Sequence, residues 1–168
     1  NLALTDEILL KIEKPVRYIG NEVNMVRKDP EGKIRFAMCF PDVYEIGMSH
    51  LGMKIIYDQM NRRDDVYCER VFSPWVDLDK VMREENIPLF ALESQDPVFM
   101  FDFLAVTIQY EMCYTNILQI LDLSQIGLYA KDRREDAPFV IGGGPCTYNP
   151  EPLADFFDIF YIGESETV

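Results

Sequence analysis

The sequence is poor in the residues that commonly carry chemistry. Its 168 residues include one histidine, one tryptophan and four cysteines, and 16 lysines and arginines face 29 aspartates and glutamates. The resulting formal charge of −13 repels phosphate backbones, so direct nucleic-acid binding is not expected. Cys39, Cys68, Cys113 and Cys146 are scattered singly. Lacking a close pair, they build no zinc or iron–sulfur site from local sequence and read as reduced thiols of a cytoplasmic protein. No uncharged apolar run approaches the ~20 residues of a bilayer span, and no basic leader with an apolar centre marks export. Phosphate loops are missing too. No Gly-Lys-Ser/Thr follows a glycine run, and Pro145 with Thr147 breaks the dinucleotide fingerprint that Gly142-x-Gly144 would begin.

What is present is an ordinary globular balance, 48% hydrophobic and 27% charged residues, with neither repeat nor low-complexity tract. Residues 1–30 read as a short helix, capped by Thr5 and running to about Glu13, followed by a polar arm from Pro15 to Asp29. Residues 31–168 read as one α/β domain. "IRFAMCF" from Ile34 is a strand closed by Pro41, and Leu51, Ile55, Ile56 and Met60 form a helical stripe behind a cap at Ser49. The alternation then repeats. Strands are expected at Val66–Phe72, Phe103–Ile108, Phe139–Ile141 and Ile159–Ile162, with helices over Asp77–Glu85 and Thr115–Gln125 and a helical turn over Glu151–Phe156. Ile87–Glu93 fits a further strand or an extended connection. A helix is expected to follow the last strand. Such alternation implies a three-layer α/β sandwich around a mostly parallel sheet of about five strands, Rossmann-like or flavodoxin-like.

Ligands of open parallel sheets bind beyond the carboxyl ends of the strands, which directs attention to the loops there. The first reads Asp42-Val43-Tyr44-Glu45-Ile46-Gly47, the third strand exits through Thr107-Ile108-Gln109-Tyr110-Glu111, and the fourth through Gly142-Gly143-Gly144-Pro145. Glycines at a strand end let a flat ligand touch the backbone, or else simply turn the chain. The lone His50, at a helix start, reads as structural, and the Glu164/Glu166 pair reads as helix-terminal acids rather than an acid–base couple. No nucleophile–base pair is evident.

The runs "RYIGNEVN", "FPDVYEIGMSHLG", "ERVFSPW", "QYEMCYTNIL" and "GGPCTYNPEPLADFFD" resemble the N-terminal cobalamin-binding-like domain of a bacterial group of radical S-adenosylmethionine iron–sulfur proteins, from about Pro15 to the end. The resemblance implies cobalamin, or a degenerate corrinoid cleft, held by Asp42, Tyr44, Gly47, Thr107, Gln109, Tyr110, Glu111, Gly142, Gly143 and Gly144. Asp42 and Gly47 match an Asp-x-His-x-x-Gly signature in which Tyr44 replaces the cobalt-ligating histidine; no Ser-x-Leu lies near Thr107. It further implies a 4Fe-4S cluster and S-adenosylmethionine on a catalytic domain downstream, since these cysteines form no Cys-x-x-x-Cys-x-x-Cys. The parent would then be an enzyme, methyltransferase-like or performing another modification, and this piece alone would not. The competing expectation is a protein-interaction domain with no small ligand, anchored through Tyr44, Trp75, Tyr110, Tyr114 and Tyr148.

Overall fold

The computed structural model describes residues 3–164. Five strands, β1 (Ile34–Phe40), β2 (Val66–Phe72), β3 (Phe103–Thr107), β4 (Phe139–Gly143) and β5 (Ile159–Phe160), form one sheet in the order β2-β1-β3-β4-β5. Every pairing is parallel. This is the flavodoxin-like order, in which the direction of winding reverses between β1 and β3.

That reversal fixes the layers. Crossovers keep one hand, so the connection from β1 to β2 must lie on the opposite face from those that lead to β3 and β4. The helices obey. α3 (Leu51–Asn61) buries Met53 and Tyr57 against Met38, Phe40, Cys68 and Phe72. On the other face α4 (Val76–Glu85) and α5 (Tyr114–Leu123) bury Leu78, Met82, Ile117, Ile120 and Leu121 against Ala37, Cys39, Leu104, Val106 and Val140. All four cysteines are buried and unpaired, and burial pushes the Cys39, Cys68 and Cys113 thiols up. Among the described residues no helix is long and apolar enough to cross a membrane.

Several boundaries differ from expectation for local reasons. The first helix, α1 (Asp6–Leu9), keeps its Thr5 cap but ends early: the Glu13 amide donates to the Asp77 carboxylate at 2.9 Å, which draws the chain onto α4 ahead of Pro15. The loop after β1 contains an additional helix, α2 (Tyr44–Ser49), and the cap of α3 is His50 rather than Ser49, its Nδ1 accepting from the Met53 amide at 3.2 Å. β5 stops at Phe160, and Gly163, at φ 144°, turns the chain.

Ile87–Glu93 is an extended connection, held to Pro97 by a bridge at Phe90. It covers the β2 edge: the Leu92 amide donates to the Arg70 carbonyl at 2.8 Å, and the Arg70 amide donates to the Glu93 carboxylate at 2.6 Å. The β2 edge is thereby covered at Arg70 without a sixth strand. Its cost is buried charge. Arg70 Nε also donates to Glu93 at 2.6 Å, and on the opposite face Arg35 bridges Glu69 and Asp96 at 2.5 and 2.8 Å. The segment before β1 joins the same network through Glu22, whose carboxylate stands 3.6 Å from Arg70.

Burial pushes the Glu93 carboxyl from its ordinary 4.5 up to about 7, against the opposing pull of Arg70. A carboxyl whose pKa is higher folded than unfolded binds its proton preferentially in the folded chain. Its contribution to stability is complete below about pH 4 and is lost as the pH rises through 7. In urea titrations the unfolding midpoint attributable to this group is therefore expected to fall between pH 5 and pH 8. Glu93→Gln, which has no proton to titrate, should remove that dependence.

Candidate functional site

A groove of about 850 Å³ lies on the α3 face of the sheet and opens at the carboxyl ends of the strands. Its floor is Phe36 and Met38 of β1, Ala105 and Thr107 of β3, and Ile141 and Gly143 of β4. These positions alternate along each strand and lie in register across it, with Met38 beside Ala105 and Ala105 beside Ile141, so all face one way. One wall is α3 with His50, Met53, Ile56 and Met60; the other is the Pro145–Tyr148 turn with the strand exit Tyr161–Glu164. The volume lies within the range of small-molecule and cofactor clefts, and like them the groove is mainly apolar with few polar groups.

The consecutive glycines divide into distinct roles. A Cβ at Gly142 would stand 2.8 Å from the Phe160 ring, so this glycine serves the packing of β5 on β4. Gly144 sits at φ 101°, where a Cβ would stand 2.8 Å from the Ile108 carbonyl; this glycine turns the chain. Nothing lies within 4 Å of the corresponding point at Gly143. Gly143 alone leaves open space, and that space belongs to the groove.

Of the other residues singled out in the sequence, Thr107 and Gln109 also line the groove, joined by a 2.7 Å hydrogen bond from Gln109 Nε2 to Thr107 Oγ1. Thr147, on the opposite wall, is tied back by a 2.7 Å bond from its hydroxyl to the Gly144 carbonyl. The rest are engaged elsewhere. Asp42 and Tyr110 meet across the winding reversal, the Tyr110 hydroxyl donating to Asp42 at 3.3 Å, while Asn116 donates to the Pro41 carbonyl at 2.9 Å. The Asp42 charge pushes the Tyr110 hydroxyl up. These two bonds close the gap between the β1 and β3 loops. Glu111 is exposed at the start of a short 3-10 turn (Glu111–Cys113). Gly47 is buried in α2, where any side chain would overlap the Phe72 ring. Tyr44 packs edge-on against Phe72 and donates to Glu22 at 3.0 Å. Burial and that carboxylate push its hydroxyl up to about 12.

Sequence reasoning passed over Phe36, Met38, Ala105 and Ile141 of the floor and read His50 as structural; His50 caps α3 and also lines the groove. The signal for the floor was present: Phe36, Met38, Ala105 and Ile141 form one face of strands taken as buried on both. Of the aromatic residues considered as anchors, Tyr148 is 77% exposed beside the groove, whereas Trp75 lies under the Arg17 guanidinium and Tyr114 contacts Cys146 at 3.3 Å. Glu164 lies on the groove wall; Ser165 and Glu166 lie outside the described residues. Among the described residues no group of three His, Cys, Asp or Glu side chains is placed to hold a metal ion.

The different demands on Gly143 and Gly144 give opposite expectations for the same change. Gly144→Ala should destabilise the fold by about 1–3 kcal/mol, the cost of a glycine-only backbone conformation. Gly143→Ala should shift stability by no more than about 0.5 kcal/mol. Urea unfolding of the two variants checks the contrast.

The chain is 28% identical over 133 residues to an uncharacterized protein of Methanocaldococcus jannaschii, a match covering 77% of this chain and 24% of that relative. The chain thus spans about a quarter of the length of the curated relative it matches. No solved structure matches it. Residues 52–168, from α3 through β5 and onward, match the family described as radical SAM proteins, N-terminal, and the chain belongs to that family.

Proposed function

We propose that the chain is the accessory N-terminal domain of a radical S-adenosylmethionine enzyme. In this reading its groove is a corrinoid-type cleft, presented to a catalytic domain on the same polypeptide. The observation that carries it is Gly143: a strand-end position with no side chain and nothing in front of it, on the floor of an 850 Å³ apolar groove at the carboxyl rim. The fold is the one in which such rims take up cofactors. Residues 1–30 would form an N-terminal segment ahead of this domain, and the iron–sulfur cluster and S-adenosylmethionine would belong to the catalytic domain. A radical methylation or related modification is the reaction class that a corrinoid beside such a centre would serve.

The side chains fit one part of a corrinoid and not another. Gly143, Gly144, Thr107 and Gln109 would accommodate an elongated, partly apolar tail. Tyr44 does not fit as a ligand to cobalt: at the signature position, it is held on Glu22 and its hydroxyl, pushed up to about 12, stays a neutral phenol at physiological pH. A bound cobalamin would therefore be held by other residues, those of the groove. When bound it would supply a methyl-carrying cobalt; this chain's residues would bind and orient it.

A second reading, in which the rim docks the catalytic domain and takes no small ligand, is favoured by the exposure of Tyr148 (77%) and Ile162 (64%) beside the groove.

Incubating the full-length parent protein with hydroxocobalamin, desalting it and recording the absorbance spectrum separates the two. Retention of corrinoid near one equivalent is expected, with at least tenfold weaker binding by Gly143→Leu. Tyr44→Phe should leave the spectrum of the bound corrinoid unchanged. A folded protein that retains none contradicts the corrinoid reading and leaves the docking one.

A further inference from the structure

His50 offers the groove only one of its two ring nitrogens. It is the N-cap of α3, and its Nδ1 accepts from the Met53 amide at 3.2 Å. An imidazole nitrogen that accepts carries no proton, so the neutral ring bears its proton on Nε2. Two neighbours hold the ring in this pose. Phe40 packs against it with 5.0 Å between ring centroids, and Gly52 makes room for it, since a Cβ there would stand 3.1 Å from His50 Cε1. Nδ1 faces the first turn of α3, which turns the Nε2 side of the ring away from the helix. His50 lines the groove, and its Nε2 has no partner among the described residues. Other polar side chains of the groove direct donors at the protein itself: Gln109 at Thr107, Thr147 at the Gly144 carbonyl, and Arg63 at Asp65.

We infer that His50 is a recognition residue of the cleft, which donates its Nε2–H to a carbonyl oxygen of the bound ligand and does not ligate the ligand's metal. The inference rests on the cleft reading and deepens it by naming how the groove tells a corrinoid from an apolar molecule of similar size. Ligation of cobalt needs a free nitrogen lone pair. His50 has none: that of Nδ1 is engaged by the Met53 amide, and Nε2 holds the proton. To free one, the ring would have to abandon the α3 cap. His50 also stands outside the Asp42–Gly47 signature, so it does not restore the histidine that Tyr44 replaces. Donation is the role left to it. The edge of a corrin ring carries carboxamide groups, whose carbonyl oxygens accept hydrogen bonds. A ligand that covers Nε2–H without accepting from it would leave a desolvated donor unpaired, which costs binding energy. The half-buried His50 therefore selects for an acceptor at the α3 wall, beside an otherwise apolar floor.

The full-length parent protein tests this as wild type, His50→Asn and His50→Ala, each titrated with hydroxocobalamin and each unfolded in urea. Asparagine is among the preferred N-cap residues and keeps an acceptor for the Met53 amide, but its shorter side chain carries no donor to the position of Nε2. His50→Asn is expected to keep the wild-type unfolding midpoint and to bind corrinoid roughly three- to tenfold more weakly, the worth of one hydrogen bond. His50→Ala should weaken binding at least as much and also lower the midpoint. Cob(II)inamide, which has no nucleotide base, gives an independent readout: its electron paramagnetic resonance spectrum on the wild-type protein should show no splitting from an axial nitrogen. Undiminished binding by His50→Asn, or a nitrogen splitting that disappears in that variant, would overturn the inference and leave the cleft reading intact. Folded wild-type protein that retains no corrinoid would overturn both.

Discussion

A parallel sheet must be covered on both faces, and its direction of winding decides which connection covers which. Here the reversal between β1 and β3 sends α3 to one face and α4 and α5 to the other. The consequence is asymmetric. One face is sealed across the sheet, while the other is sealed over β1 and β2 only, and the groove is the uncovered remainder. Its position at the carboxyl rim, its apolar floor and its wall of exiting chain all follow from that single arrangement.

Within this frame the polar residues do two separable jobs. At the β2 edge, buried Arg70 and Glu93 bind the Ile87–Glu93 connection to the strand, with Arg35 and Glu69 repeating the device on the opposite face. Buried ion pairs of this kind contribute little net stability against an apolar alternative. Their effect is to specify where the connection lies and to cover part of the β2 edge. At the rim, Asp42, Tyr110 and Asn116 tie the first and third loops together and close the gap at the winding reversal. The open space is thereby displaced toward β4, where Gly143 borders it.

The architecture was legible in the sequence because it rests on strong local signals: apolar runs of strand length alternating with helical stripes. All five strands and α3, α4 and α5 were expected within a few residues, whereas α2 in the loop after β1 was not. The roles of the glycines were not fully legible. Three in a row at a strand end look alike in sequence, yet Gly142 answers to Phe160, Gly144 to a backbone angle, and Gly143 to neither. Such distinctions depend on what lies opposite each residue in the next strand. Likewise the Asp42 and Tyr44 signature says nothing of partners 68 and 22 positions away, which engage both side chains with Tyr110 and Glu22. The Glu69-Arg70 pair inside an otherwise apolar strand was a visible signal of a buried charge network. Its partners, Arg35 and Glu93, required the fold.

The central claim is that the groove over β3 and β4 is the ligand-bearing surface of this domain. Methyl-labelled full-length protein titrated with cobalamin tests it most directly by NMR. The account predicts shifts confined to Ile56, Met60 and Ile141, with Leu78, Met82 and Ile117 on the opposite face unmoved. Shifts on the opposite face, or none at saturating corrinoid, would contradict it.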